Sequence, residues 1–193
     1  MSSSLILENT KNEQIGVYDE NDNYIKGYSR KEVRSKNLIH RATDILVRNI
    51  KGEILVQTRS NSKEYCPGYL DIVFGGMVSD GEDVDKSAER ELGEEAGLDI
   101  DKLKNKLEKH GKFFYKDNVT STFEYIYFIT ITPEEEKLIS FRDHEVSSVK
   151  WYSKDELEKI IKEGKEKITG ASIQCFHILI IKTEKKLIII VQM

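Results

Sequence analysis

Apolar residues at Val84, Ala88, Leu92 and Ala96 recur every four positions, which lines them along one stripe of an α-helix, and Gly97 follows as a C-terminal stop. Ahead of that helix the pattern is one of strands. Residues 15–18 and 24–28 flank the turn-rich Asp19-Glu20-Asn21-Asp22-Asn23 and predict a hairpin, and residues 40–47 and 53–58, joined at Lys51-Gly52, predict a second strand pair. Between them, Ser29 and Glu32 have the spacing of a capping box and predict a short helix. Residues 70–74 read as an apolar strand stopping at Gly75-Gly76, where the missing Cβ atoms let the backbone approach a ligand. The basic segment 102–116 reads as a solvated helix followed by a strand. Strand-like runs at 123–131 and 146–152 come next, and Ser153 with Glu156 caps a further helix toward Ile161. Direct hairpins beside strand-to-helix connections predict an α/β sandwich with a mixed sheet.

The 193 residues suffice for one sizeable core, so residues 12–193 are expected to form a single domain with its core at about 38–165, preceded by a loosely ordered stretch, 1–11. A hydrophobic share of 38% beside 33% charged residues suits a water-soluble globular chain. With 30 basic and 34 acidic residues the net charge is −4, which leaves no excess for a polyanion, and nucleic acid is not an expected partner. Cys66 and Cys175 form neither a disulfide framework nor a CxxC clip. The polar N-terminus does not read as a signal peptide and no apolar run reaches spanning length, so a cytoplasmic location without membrane contact is the default expectation. The apolar stretches 178–181 and 187–191 read as core elements, the second suiting equally a homodimer contact.

Candidate chemistry concentrates in Gly76-Met77-Val78-Ser79-Asp80-Gly81-Glu82 and, after seven residues, Arg90-Glu91-Leu92-Gly93-Glu94-Glu95-Ala96-Gly97-Leu98. At roughly 100° of rotation per residue, Glu91, Glu94 and Glu95 fall within one face of the helix. Like charges at this spacing cost a few tenths of a kcal/mol per pair. A divalent cation reverses that sign, and oxygen ligands are what magnesium prefers. Glutamate-rich helix faces are common and mostly just solvated, but seven specified and two aliphatic positions coincide by chance less than about once in ten million starts at ordinary residue frequencies.

The pattern Gly-x5-Glu-x7-Arg-Glu-aliphatic-x-Glu-Glu-x-Gly-aliphatic resembles the Nudix box at every specified position. The resemblance implies an α/β/α sandwich with a mixed β-sheet, and hydrolysis of a diphosphate linkage in a nucleoside diphosphate derivative or similar small molecule with Mg2+ or Mn2+. By the same resemblance Glu91, Glu94 and Glu95 bind metal, with the Gly75 carbonyl as a further ligand, and Glu91 or a nearby carboxylate polarises the attacking water. Arg90 and Glu82 brace the box, as an arginine between carboxylates does through charge-assisted hydrogen bonds.

Beyond the box, Leu55-Val56-Gln57-Thr58-Arg59-Ser60, Lys63, Pro67-Gly68, Asp71 and Gly75-Gly76 resemble the branch related to isopentenyl diphosphate isomerase. That resemblance implies diphosphate contacts from Arg59 and Lys63, a metal role for His40 and a metal or catalytic role for Glu124. Each also reads as an ordinary exposed or packed side chain. Glu145 sits where many family hydrolases place an additional metal or base carboxylate, and reads as well as a solvated loop residue. Gly75 and Met77 stand where the isomerases carry a cysteine and a second metal histidine, so proton transfer to carbon is disfavoured. An isomerase and a noncatalytic nucleotide-binding module remain the alternatives to a hydrolase.

Overall fold

Residues 121–131 read STFEYIYFITI and are buried at almost every position, as a strand covered on both faces must be. The computed structural model describes residues 13–98, 100–103, 107–141 and 145–181. The stretches 1–11 and 187–191 lie outside the described residues. In chain order the elements are β1 (Gln14–Tyr18), β2 (Tyr24–Ser29), α1 (Arg30–Ser35), β3 (Ile39–Asn49), β4 (Ile54–Arg59), β5 (Leu70–Asp71), α2 (Val84–Ala96) and α3 (Ile100–Leu103). They continue with β6 (Glu108–Lys116), β7 (Ser121–Ile131), α4 (Pro133–Glu136), β8 (Val146–Tyr152), α5 (Lys154–Glu163), α6 (Gly170–Phe176) and a π-helical turn, His177–Ile181.

Among the described residues these strands form one mixed sheet. Its spine is the parallel pair β3 and β7, in register from Ile39 opposite Ser121 to Asn49 opposite Ile131. β6 runs antiparallel on the far side of β7, while β4 joins β3 and also pairs with β5 and β8. Successive β3 side chains point to opposite faces. Ile45 and Val47 pack with Ala88, Leu92 and Ala96 of α2, and Leu46 packs with Leu157 of α5 and Cys175 and Phe176 of α6. The sheet is thus covered on both sides, which is the expected α/β/α sandwich.

Helix α2 begins where Asp83 accepts from the amides of Asp85 and Lys86 and ends at Gly97, whose φ of 66° is open to glycine at little cost. One element departs from expectation. Of residues 70–74 only Leu70 and Asp71 form a strand, paired with β4, whereas Phe74 bridges to Ile45 of β3. The chain changes partner between these points, so it bends at Ile72 and Val73 even though every residue from Asp71 to Phe74 is buried. Among the described residues no helix is long and apolar enough to cross a membrane.

Candidate active site

The change of partner brings Gly75-Gly76 onto β3. The Thr43 amide donates to the Gly76 carbonyl at 3.0 Å, and Ala42 bridges to Met77. Gly75 has φ +144°, and a Cβ there would lie 1.8 Å from the Thr43 carbonyl oxygen. A Cβ on Gly76 would lie 2.6 Å from Glu91 Oε1. The glycine pair therefore lets the C-terminal half of α2 present carboxylates directly against the loop backbone.

Along α2 the three glutamates diverge in environment. Glu95 is fully buried; its Oε2 accepts from the Gly75 amide at 2.8 Å and from Gln57 Nε2 at 3.3 Å, and its Oε1 from Lys63 Nζ at 3.2 Å. Lys63 also donates to Glu145, so one ammonium joins α2 to the residue just before β8. The Glu91 side chain is 12% exposed and that of Glu94 is 53% exposed. Arg90 spans both, donating to Glu91 and Glu94 at 2.9 Å each, and grips Glu82 at 2.9 and 3.1 Å. Glu82 in turn accepts from the Ser79 amide at 3.2 Å, which closes the loop onto the helix.

These placements shift the proton equilibria. Burial, reinforced by Glu95, pushes the Glu91 carboxyl up to about 8, with Arg90 acting against the rise. Burial also raises Glu95, offset by Lys63 and the Gly75 amide. Burial works against a charge on Lys63, yet Glu95 and Glu145 hold it above the ordinary lysine value. Glu82 is held low by Arg90 against the effect of burial.

The other sequence candidates lie along a cleft on the α6 side of the sheet, whose walls include Lys63, Gly75 and Gly76. Arg59 does not hang free in it: Nη1 donates to Asp71 Oδ2 at 2.9 Å and Nε to the Tyr65 carbonyl at 3.1 Å. His40 lines the same cleft, with Nδ1 donating to the Leu38 carbonyl at 2.9 Å. Burial depresses its pKa to about 3, so the ring is neutral with Nε2 as the bare nitrogen. Glu124 lines the cleft too, buried and raised to about 8 by burial and by Asp71. Sequence reasoning missed Asp44, Arg34 and Ser172, which share these walls. For Asp44 a signal existed: a charged residue between Thr43 and Ile45 in a run otherwise fit for the core.

The donor set suits a hard divalent cation, since it consists of carboxylates and a backbone carbonyl. Glu91 and Glu95 are raised because negative charge is crowded and desolvated there, and a cation would relieve that crowding. In the present rotamers Arg90 and Lys63 supply the positive charge. Among the described residues no three His, Cys, Asp or Glu side chains are already drawn together into a cation cage.

Comparison with known proteins bears on this arrangement. The NUDIX domain family model matches residues 38–170. A Nudix hydrolase of Yersinia pestis is 40% identical over 105 residues, 54% of this chain and 56% of that protein, so the match spans little more than half of the relative's length. The Nudix hydrolase YfcD of Escherichia coli is 32% identical over 146 residues, covering 75% of this chain and 76% of YfcD. In structure, DR0079 from Deinococcus radiodurans superposes with a TM-score of 0.71 at 21% identity, over 86% of this chain and 99% of that one, and shares the fold.

Proposed function

The chain belongs to the Nudix hydrolase family, and from that premise we propose that it cleaves the diphosphate linkage of a nucleotide-like small molecule with the help of Mg2+ or Mn2+. The observation that carries this reading is the placement of Glu95, fully buried, and Glu91, nearly so, against Gly75-Gly76, which line a cleft whose walls also hold Arg59 and Lys63. Glu91, Glu94 and Glu95, with the Gly75 carbonyl, are the residues that would hold the cation. When bound, it neutralises the diphosphate and acidifies water. Glu91 draws the proton from the attacking water, the water oxygen bonds to phosphorus, and the bridging P–O bond breaks to leave two phosphorylated products. Arg90 and Glu82 fix the rotamer of Glu91, and Arg59 and Lys63 face the anionic substrate.

The experiment is turnover of diphosphate compounds in 18O-labelled water. Label enters a phosphate product, and chelation abolishes turnover until magnesium or manganese is restored. An allylic diphosphate isomerised without phosphate release would reverse the reading, as would undiminished turnover in excess chelator.

Metal binding has a second readout in stability. Burial raises Glu91 from its ordinary value of 4.5 to about 8 in the folded chain. Between those values the folded state binds more protons than the unfolded one, so its relative stability is greatest at low pH and is lost as pH rises through 8. His40 runs the other way, but only below its unfolded value of roughly 6.5. The metal-free protein is therefore expected to lose Tm between about pH 6.5 and 8.5. Magnesium at about 100 times its dissociation constant restores about 2.7 kcal/mol. Calorimetry across that range checks both, and a flat or rising metal-free Tm would contradict the assignment of buried charge.

A further inference from the structure

Gln57 follows Leu55 by two residues in β4 and so faces the same side of the sheet, where Leu55 packs with Ala88, Leu92 and Ala96 of α2. It is 1% exposed, a neutral polar side chain in a place that elsewhere under α2 is filled by apolar ones. Its amide nitrogen makes two bonds. Nε2 donates to the Val73 carbonyl at 2.7 Å and to Glu95 Oε2 at 3.3 Å. A carbonyl and a carboxylate oxygen are both acceptors, which fixes the orientation of the amide, since turning it over would set oxygen against two oxygens. Oε1 is left shut from solvent without a hydrogen-bond partner among the described residues. Leaving a buried acceptor unpaired destabilises a fold, and methionine, of similar length and with no such acceptor, would remove that cost. The retained amide points to a use for its two donors.

Those donors reach two parts of the same site. β5 pairs with β4 only as far as Asp71, which stands opposite Gln57 itself, and the chain then crosses to β3, where Phe74 bridges to Ile45. The Val73 carbonyl lies within that crossing, and the Gln57 side chain supplies its donor. Two residues further on, the Gly75 amide donates to Glu95 Oε2 at 2.8 Å. Glu95 Oε2 thus accepts from both Gln57 and Gly75, which stops rotation of the carboxylate with Oε1 on the side of Lys63 Nζ, 3.2 Å away. One buried amide therefore ties the loop that carries Gly75 to the carboxylate of α2 that faces it.

Resting on the hydrolase reading, we propose that Gln57 is a positioning residue of the cation site: it holds Glu95 Oε2 and the backbone from Val73 to Gly75 in one frame, so that the Glu95 carboxylate and the Gly75 carbonyl are set before the cation arrives. Gln57 touches neither substrate nor cation and acts through Glu95. An amide suits the place and a carboxylate does not, because the NH2 group donates twice from one atom to two neighbours that both present negative charge. Partners of this kind, one bond behind the ligands, change metal affinity about 10- to 100-fold when they are removed.

The test is Mn2+ binding by the full chain without substrate, followed through the electron paramagnetic resonance of the free ion at a temperature well below the Tm of each protein. Gln57→Met is expected to stay folded and to bind Mn2+ about tenfold or more less tightly. If the amide merely supports the crossing at Val73, its loss lowers Tm and leaves the affinity of the folded chain unchanged, and that result overturns the proposal. Should Gln57→Met not fold, the unchanged protein decides. Its Gln57 side-chain amide resonances are expected to shift in step with Mg2+ binding, and by more than those of Gln14 and Gln174, because the carboxylate they bond to gains a cation. Gln57 resonances that stay in place while Mg2+ binds overturn the proposal as well. A chain that binds no Mn2+ removes the hydrolase reading and this proposal with it, whereas equal binding by the two chains removes only the role of Gln57.

Discussion

Glu91→Gln is expected to leave a folded protein whose turnover is about 10²- to 10⁴-fold lower, the usual effect of removing a positioned acid or base. The replacement keeps size and nearly keeps helix propensity. Its amide oxygen can still accept from Arg90 Nη1, now 2.9 Å from Glu91 Oε1, so the brace between Glu82 and α2 survives. What is lost is the charge. Because burial and Glu95 push the Glu91 carboxyl up to about 8, ionising it in the metal-free fold is unfavourable, and the uncharged variant escapes that cost. The metal-free variant should therefore match or exceed the Tm of the original chain at pH 8, and its Tm should vary less with pH. Glu94→Gln serves as the comparison for stability, since its side chain is 53% exposed and its charge already meets solvent. Steady-state kinetics and calorimetry on the same preparations check both halves. Near-normal turnover in the Glu91 variant would pass the role to Glu94, Glu95 or Glu145.

The sequence made some of this legible and hid the rest for physical reasons. Local signals held well. The four-residue apolar period and Gly97 bounded α2, Ser153 with Glu156 formed the capping box of α5, and the turn between residues 18 and 24 joined β1 to β2. These depend on neighbours within one or two turns of chain. The parallel pairing of β3 with β7 joins residues about eighty positions apart, and no spacing rule announces it. The floor of the cleft depends on that pairing, which is why Glu124 stood in the sequence as an isolated strand carboxylate and Asp44 attracted no notice. Lys63 could be read as a basic loop residue, but its bonds to Glu95 and Glu145 need α2 and the start of β8 to meet. The strand expected at 70–74 ends early at Asp71 for the same reason, since alternation cannot show that a chain exchanges one partner strand for another.

Substitution of the two adjacent glycines should separate fold from function. Gly75→Ala places a Cβ 1.8 Å from the Thr43 carbonyl oxygen, at φ +144°, where an L side chain is strained in any case. Neither atom belongs to a flexible side chain, so the loop must lift from β3. Lifting it breaks the Thr43-to-Gly76 hydrogen bond and the bond from the Gly75 amide to Glu95, leaving a buried carboxylate short of a donor. A loss of about 3 kcal/mol or more is expected from strain and an unpaired buried group together, seen as a Tm lower by about 6 °C or more for a chain of this size. At Gly76 the added Cβ meets the end of the Glu91 side chain at 2.6 Å, and that carboxylate can rotate aside. Gly76→Ala is therefore expected to keep its Tm within about 2 °C. It should lose turnover about 10²-fold, because a displacement near 1 Å at a reacting group has that effect. If Glu91 works against the Gly76 backbone, calorimetry and kinetics separate the two variants, with turnover falling in both and Tm falling only in Gly75→Ala. A Gly76→Ala protein with full turnover would show that Glu91 does not need the position it holds here, and the proposed geometry of water activation would have to be abandoned.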